Sequence, residues 1–456
     1  MTELVDYGKS ALAKLRGLGD EIEPHGIKFN EFQKQLEETQ WFSKEQLEEI
    51  QLIKLKKIVS FAAKNVPFYK NAFKKAKIKP SDIKSLEDIE KLPIVSKAQV
   101  IENPNNFISK NYAEFYPFRF SSGGTTGKKL EFYIGSDAWD IEKAAIWRHF
   151  NWANYSYKDK CIMLYPFDEN IREHHSPILN WNIINTRILN DKTFKYLLER
   201  INKIQPKALW GYPSILDSFA KYIEQKGVSL NIPVILTTSE SLHNFQKERI
   251  EKKLSGQIFD WYGQGEHVAS AAFCEKQKYH INMEACLIEF TKNGKAVKLG
   301  KPGMILGTCL DNYSMPLIRY DTEDLAIQST KQCACKRGLP TIESIIGRIH
   351  DLIYTKDGPL VIKHSMLTLS NMKSIKNFQI IQEGLNKFFI NIEKGSNYSE
   401  KDGLAIQNEL VHYIGPKTSV EIVAVPKIKK TERGKQRLII SKVSLKNDFN
   451  FKEMKL

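Results

Sequence analysis

Phe118-Arg-Phe-Ser-Ser-Gly-Gly-Thr-Thr-Gly-Lys-Lys-Leu-Glu-Phe-Tyr-Ile134 contains two alternating, aromatic-rich runs, Phe118–Ser121 and Leu130–Ile134. These predict a pair of strands. Between them stand Ser121, Ser122, Gly123, Gly124, Thr125, Thr126 and Gly127, followed by Lys128 and Lys129. Three glycines allow the backbone to turn its N–H groups inward without a Cβ penalty. Hydroxyl donors and two cations complete the chemistry of a polyphosphate cradle. The spacing is not that of the Walker A loop, since Ser122 occupies the place of its first glycine and Lys129 that of its Ser/Thr. An ordinary Gly/Ser/Thr hairpin turn has the same composition, so the rest of the chain must decide.

The 456 residues are 42% hydrophobic and 27% charged, enough for one large domain with a small one appended. A net charge of +15 suits polyanionic small molecules such as ATP. The lysines are scattered rather than striped, which argues against nucleic acid as the partner. No uncharged apolar run approaches the roughly 20 residues of a spanning helix, and Met1–Lys9 is not a leader, so a cytoplasmic protein is expected. Six cysteines in this length do not make a disulfide scaffold.

Downstream of the hairpin the pattern becomes β–α alternation. Cys161–Pro166, Ala208–Trp210, Val234–Ser239 and Gln257–Trp261 are short apolar runs separated by amphipathic stretches, which predicts a mainly parallel α/β sheet. Helices are expected earlier, at Asn30–Gln40, Ser43–Asn65 and Asp137–Phe150. From about Ile281 to Leu325 short strands and turns suggest a β-subdomain. Beyond Asp351 a small α+β unit is expected, with a helix at Ser399–Ile414. In a parallel sheet ligands bind beyond the carboxyl ends of the strands. That rule brings Trp210-Gly-Tyr-Pro-Ser214, Thr237-Thr-Ser-Glu-Ser241 and Asp260-Trp-Tyr-Gly-Gln-Gly-Glu266 to one rim.

The ordered series SSGGTTG, GYPS, TSE, YGQGE, PLIRYDTED, GRIHD and ERGKQR resembles the adenylate-forming acyl-ligase superfamily. Within it the chain is most similar to the phenylacetate–coenzyme A ligase branch, including its CapK-like relatives found with capsular-polysaccharide genes. Val66-Pro-Phe-Tyr69 and Leu92-Pro-Ile-Val-Ser-Lys97 share the resemblance. It implies an N-terminal adenylation domain over 1–349 and a mobile C-terminal lid over 350–456. It also implies an ATP- and Mg²⁺-dependent enzyme that makes an acyl-adenylate and passes the acyl group to a thiol, with coenzyme A expected. Alternatives are transfer to an amino sugar of a surface polysaccharide or to a carrier protein, or a non-catalytic nucleotide binder with the same fold.

By the same resemblance Ser121 to Gly127, Thr125 included, would grip the β- and γ-phosphates. Ser239 and Glu240 would lie against the adenine, Tyr262 and Gly263 would flank it, and Glu266 would hold Mg²⁺. Asp324 and Arg348 would serve the ribose and phosphates, and Lys435 the reacting carboxylate and α-phosphate. Gly265, Glu323 and His350 depart from the family pattern. Trp210, Tyr212 and Pro213 are candidates for the acyl pocket, with Trp147, His149 and Phe150 beside them. Cys274-x5-His280 and Cys333-x-Cys335 supply three thiolates and an imidazole, a set suited to structural Zn²⁺. Cys161, Cys286 and Cys309 lie in apolar runs and are expected to pack. A monomer or homodimer is expected, and the acid is not legible.

Overall fold

The structure is a computed structural model that describes residues 26–122, 129–167, 171–356, 358–360, 369, 372, 374–431 and 434–443. It divides into two compact units. The larger holds the described residues up to Leu242 with Gln246–Thr322 and Ala326–Ser344. The smaller holds His243–Phe245, Glu323–Leu325 and the described residues from Ile345 onward.

The chain enters through helices α1 (Phe29–Thr39), α2 (Lys44–Asn65), α3 (Pro67–Ala76) and α4 (Lys97–Glu102). Ser43 starts α2 with a reciprocal capping box: its hydroxyl accepts from Gln46 N, and the Gln46 side chain accepts from Ser43 N. Pro67 stops α2 by denying a donor and opens α3 at its first position, where no donor is needed. Strands β1 (Phe118–Ser122) and β2 (Leu130–Ile134) then form the predicted pair, antiparallel with Phe118 opposite Ile134 and Ser122 opposite Leu130. The loop residues 123–128 lie outside the described residues. Helix α5 (Ser136–Trp152) follows directly.

Five strands of the large unit run parallel: β3 (Cys161–Tyr165), β5 (Trp181–Asn185), β6 (Ala208–Gly211), β7 (Val234–Thr238) and β8 (Gln257–Gly263). Helices α6 (Asp191–Ile204), α7 (Pro213–Gln225) and α8 (Asn244–Leu254) supply the crossovers. β4 (Glu173–Ser176), which the sequence pattern does not reveal, closes one edge antiparallel to β5. The strand-rich stretch from Ile281 does not build a sheet of its own. Through β9 (Ser270–Phe273) and β10 (Tyr279–Ile281) it extends the same sheet, which counts thirteen strands among the described residues. β14 (Tyr320–Gln328) and β15 (Thr341–Arg348) belong to this extension. Two cores cover its faces. Trp147, Phe150, Trp181 and Trp210 pack on the α5 side, and Leu209, Phe219, Ile235 and Ile258 pack on the α7 side.

In the small unit, β18 (Ile375–Gly384) and β19 (Lys387–Lys394) form a hairpin flanked by two parallel strands, β20 (Ser419–Ala424) and β21 (Ile439–Ser441). Helix α9 (Glu400–Ile414) sets Leu410 and Ile406 against Phe388, Ile390 and Ile392. Ser399 caps α9 in a box with Asp402.

The large unit also contains a buried polar chain. Arg148 on α5 donates to Glu284 Oε1 (2.7 Å), the Leu36 carbonyl and Asn282 Oδ1, and Thr39 adds a second donor to Glu284 (2.7 Å). Both partners of the ion pair are fully buried. Asn282 continues to Ser270 Oγ (3.0 Å), and Glu142 stands 3.5 Å beyond. This chain ties α1, α5 and the sheet together through charges that have no access to water. Removing one partner strands the other, at a cost of about 3–5 kcal/mol. Arg148→Met is therefore expected to lower stability by that order in chemical denaturation, while leaving secondary structure intact in far-UV circular dichroism. Burial pushes the Glu142 carboxyl up to about 8, against a weak lowering by Ser270. A carboxyl that ionises in the unfolded chain but not in the folded one subtracts stability as pH rises. Stability should therefore decline between pH 4.5 and about 8, and Glu142→Gln should flatten that slope in a pH series of thermal melts.

Candidate functional site

Because β6, β7 and β8 are adjacent and parallel, their carboxyl ends share one rim. Gly211 leads into Pro213 at the first turn of α7, where Ser214 presents its N–H and hydroxyl to the Glu240 carboxylate (3.0 and 3.1 Å). Glu240 thus complements the N-terminal end of α7 with negative charge and locks the β6 loop to the β7 loop. Ser239, just before it, adopts φ 72°, a left-handed conformation that an L-residue takes only under local constraint.

A buried hydrogen-bonded row lies beneath. Thr237 on β7 lies opposite Asp260 on β8, and its hydroxyl donates to the Asp260 carboxylate. The Tyr279 hydroxyl on β10 donates to the other oxygen, its ring packed on Phe273 at 4.1 Å. Burial pushes Asp260 up to about 6 against these two hydrogen bonds, which oppose the rise. Past Asp260 the strand alternates, so Trp261 and Gly263 face α5 and Tyr262 faces the opposite side. Tyr262 Oη accepts from Gln264 Nε2 (2.6 Å). Glu266 is 7% exposed and its Oε1 accepts from the Tyr320 hydroxyl (3.2 Å). The segment around Tyr320 is pinned in turn. Val95 bridges to it, donating to Arg319 O (3.0 Å) and accepting from Asp321 N (2.9 Å). Next to Glu266, the His267 ring stacks on Trp139 (5.5 Å, 14°), and Trp139 stacks on Phe120 of β1 (4.9 Å). Aromatic stacking thus connects the root of the Gly-rich hairpin to the residue beside Glu266.

Of the residues picked out from the sequence, Ser239 and Glu240 follow β7, Tyr262 and Gly263 are the last two residues of β8, and Glu266 follows it. Ser121 and Ser122 end β1, while Gly123, Gly124, Thr125, Thr126 and Gly127 lie outside the described residues. Trp210 and Tyr212 separate: Trp210 packs under α5, against Phe150 and Trp181, and Tyr212 packs in the core on the other face of the sheet. Pro213 is buried at the first turn of α7. In the small unit Arg348 Nε stands 3.6 Å from Asp324 Oδ1. Arg437 Nε donates to Asp351 (2.8 Å), offsetting much of the desolvation that raises the Asp351 carboxyl. Lys435 sits in a tight turn in which its N–H donates to Thr431 Oγ1 (3.1 Å) and its carbonyl accepts from Thr431 N (2.9 Å), with Gly434 at φ 73°.

Cys274, His280, Cys333 and Cys335 come together, their ligand atoms all within 4.8 Å of one another. The Cys274 and Cys333 sulfurs are 3.6 Å apart. Two thiolates on a tetrahedral Zn²⁺ stand about 3.8 Å apart, given Zn–S bonds near 2.3 Å. His280 Nε2 is 3.2 Å from Cys335 Sγ, and its Nδ1 lies 2.9 Å from the Leu339 carbonyl, the contact that orients a ligating imidazole. Burial pushes the Cys274 thiol up to about 12, so three thiolates here need a cation to offset their charge. The loop is clamped outside as well, by Gly338 N to Gln40 O (2.9 Å) and Arg337 Nε to Gln40 Oε1 (3.0 Å).

The sequence relationships of Glu240 with Ser214, Asp260 with Thr237 and Tyr279, and Tyr320 with Glu266 are not visible without the fold.

Among the described residues no helix is long and apolar enough to cross a membrane. Residues 353–442 match the CapK C-terminal domain family. Over 413 residues the chain is 23% identical to protein CapK of Staphylococcus aureus, covering 87% of this chain and 89% of that one. It is 24% identical over 413 residues to a phenylacetate-coenzyme A ligase of Pseudomonas putida, covering 85% and 92%. A crystal structure of 2-hydroxyisobutyryl-CoA ligase in its postadenylation state superposes with a TM-score of 0.71 at 18% identity, over 88% of this chain and 90% of that one. The chain therefore has the adenylate-forming ligase fold and groups in sequence with CapK and the phenylacetate-coenzyme A ligases over most of its length.

Proposed function

We propose that the protein uses ATP to convert a carboxylic acid to its acyl-adenylate and then passes the acyl group to a thiol, coenzyme A. The observation that carries this reading is the rim of β6–β8. There Ser239, Tyr262 and Glu266 stand at and just beyond the carboxyl ends of adjacent parallel strands that a buried hydrogen-bonded row joins. The phenylacetate-coenzyme A ligase relatives support the thiol acceptor.

Joining a carboxylate to an α-phosphate brings like charges together, so the barrier falls only where fixed donors and cations meet the developing charge. Glu266 would hold Mg²⁺ through the oxygen that Tyr320 leaves open, and the ion would offset phosphate charge. Tyr262 offers a face for the adenine. The Glu240 charge is already met by Ser214, so the adenine edge is served by the backbone of Ser239–Glu240 rather than by that carboxylate. In this reading Ser121 to Gly127 serve the terminal phosphates, Asp324 and Arg348 the ribose, and Lys435 the reacting carboxylate. A lysine suits that last role as a compact charge on a long stem. The two parts of the resemblance, an adenylation domain over 1–349 and a lid over 350–456, remain the domain assignment we propose. An amine or a carrier protein is the alternative acceptor to coenzyme A. The Cys274/His280/Cys333/Cys335 cluster is assigned to structural Zn²⁺ on its geometry.

Three outcomes are expected. Wild-type protein should support carboxylate-dependent exchange of pyrophosphate into ATP. ATP binding without exchange for any acid in a broad panel would establish a nucleotide binder instead. Lys435→Ala should reduce adenylation by about a hundredfold or more, the loss seen when a fixed charge-stabilising group is removed, while sparing acyl transfer from preformed adenylate. Equal loss in both steps contradicts the assigned role. Elemental analysis of protein purified without added metal should find about one zinc per chain, and Cys333→Ser with Cys335→Ser should abolish it. A substoichiometric trace in the wild type removes the site.

A further inference from the structure

One face of α5 lies over β8, the strand that ends in the proposed nucleotide loop, and the buried polar groups of that face have few partners. Glu142, Ile146 and His149 recur at helical spacing along that face. His149 stands over Trp261 at 5.8 Å, and both of its ring nitrogens are buried without a hydrogen-bond partner among the described residues. Burial holds the ring neutral, pushed down to about 3. Glu142 is 7% exposed; among the described residues it hydrogen-bonds to the Ser270 hydroxyl at 3.5 Å, the limit of such a bond, with the Cys286 and Cys309 thiols in electrostatic reach. A β-carbon on Gly263 would stand 2.8 Å from Trp261 Nε1 and 3.7 Å from Glu142 Oε1, so the missing side chain lets the indole N–H and the carboxyl both come over the Gly263 backbone. A buried carboxyl with so little compensation is costly in a protein that binds nothing there.

The alternation of β8 says which ligand part comes to this face. Tyr262, the residue proposed to stack the adenine, projects from the opposite side of the strand. The Trp261–Gly263 side is therefore left for the acid. We infer that this strip of α5 and β8 recognises the part of the acid away from its reacting carboxylate. We infer further that the acid carries a hydrogen-bond donor there, a hydroxyl or an ammonium group, which Glu142 accepts. The inference rests on the adenylating function proposed above and adds the substrate class. A purely hydrocarbon acid would leave the Glu142 carboxyl desolvated and unpaired. Sites built to bond a polar group reject analogues that lack it far more strongly than apolar pockets reject one methylene.

The test is pyrophosphate exchange on acids that differ only in the distal donor: butyrate, 4-hydroxybutyrate and 4-aminobutyrate, and phenylacetate with its 4-hydroxy and 4-aminomethyl derivatives. The expected result is a preference of about a hundredfold or more in kcat/KM for a donor-bearing acid over its unsubstituted partner. Glu142→Leu should reduce that ratio to less than about tenfold, as in an apolar pocket. Glu142→Gln separates the two donors, keeping a preference for a hydroxyl and losing one for an ammonium group. Should Glu142→Leu fail to fold, the wild-type ratio and Glu142→Gln still decide. Exchange that favours the unsubstituted acids, or a ratio unchanged in Glu142→Leu, overturns the inference and leaves the adenylating function standing. Exchange with no acid at all overturns both.

Discussion

One buried carboxylate, Asp260, sets the geometry on which the nucleotide-side loops depend. It lies in the middle of a row across adjoining strands and accepts hydroxyls from Thr237 on one side and Tyr279 on the other. Two neutral donors let a charged acceptor sit at 3% exposure, where an uncompensated carboxylate would not be tolerated. The consequence is positional. Two residues beyond the row, Ser239 leaves β7, while Tyr262, two residues beyond Asp260, is still paired in β8 on the face that Asp260 occupies. Fixing the row fixes where these strand ends begin. A rim that must meet a polyphosphate with preorganised groups gains from this rigidity, because donors already in place need no reorganisation when charge develops.

The same strand separates two tasks by its pleat. Its odd positions, Trp261 and Gly263, face α5, and Tyr262 faces away. Tyr279 and His280 repeat the division on β10: Tyr279 reaches Asp260, while His280 points into the thiol cluster. The thiol–imidazole cluster and the buried row under the β6–β8 rim are thus built on consecutive residues of one short strand. The loop that carries Cys333 and Cys335 is in turn fastened to α1 through Gln40. Helix layer, cluster and rim form a single mechanical unit within the large part of the molecule.

Much of this architecture was readable in the sequence because its signals are local. Apolar runs flanked by amphipathic stretches gave β3, β6, β7 and β8 to within two residues, and Ser43 and Ser399 marked their helix starts as predicted. The spacing of Cys274, His280, Cys333 and Cys335 identified a cluster that the fold does bring together. What was not legible is long-range. Nothing local in Glu173–Ser176 marks an edge strand, since its pairing with β5 is what makes it one. The strands after Ile281 looked like a separate subdomain because periodicity reports a strand but not the sheet it joins. Glu142, in a helix that reads as ordinary and amphipathic, became notable only when its neighbours proved to be a distant serine and a glycine on β8. Trp210 and Tyr212 are neighbours in sequence, whereas the chain leaves β6 and turns into α7 between them and so packs them in different cores.

The central claim is that the acid's carboxylate oxygen becomes bonded to the α-phosphorus of ATP. Turnover with an acid labelled with ¹⁸O in its carboxylate, followed by mass spectrometry of the nucleotide and phosphate products, tests this bond directly. The account predicts that one labelled oxygen appears in AMP and that pyrophosphate remains unlabelled. Label recovered in inorganic phosphate together with ADP would contradict it, because the acid would then have attacked the terminal phosphate.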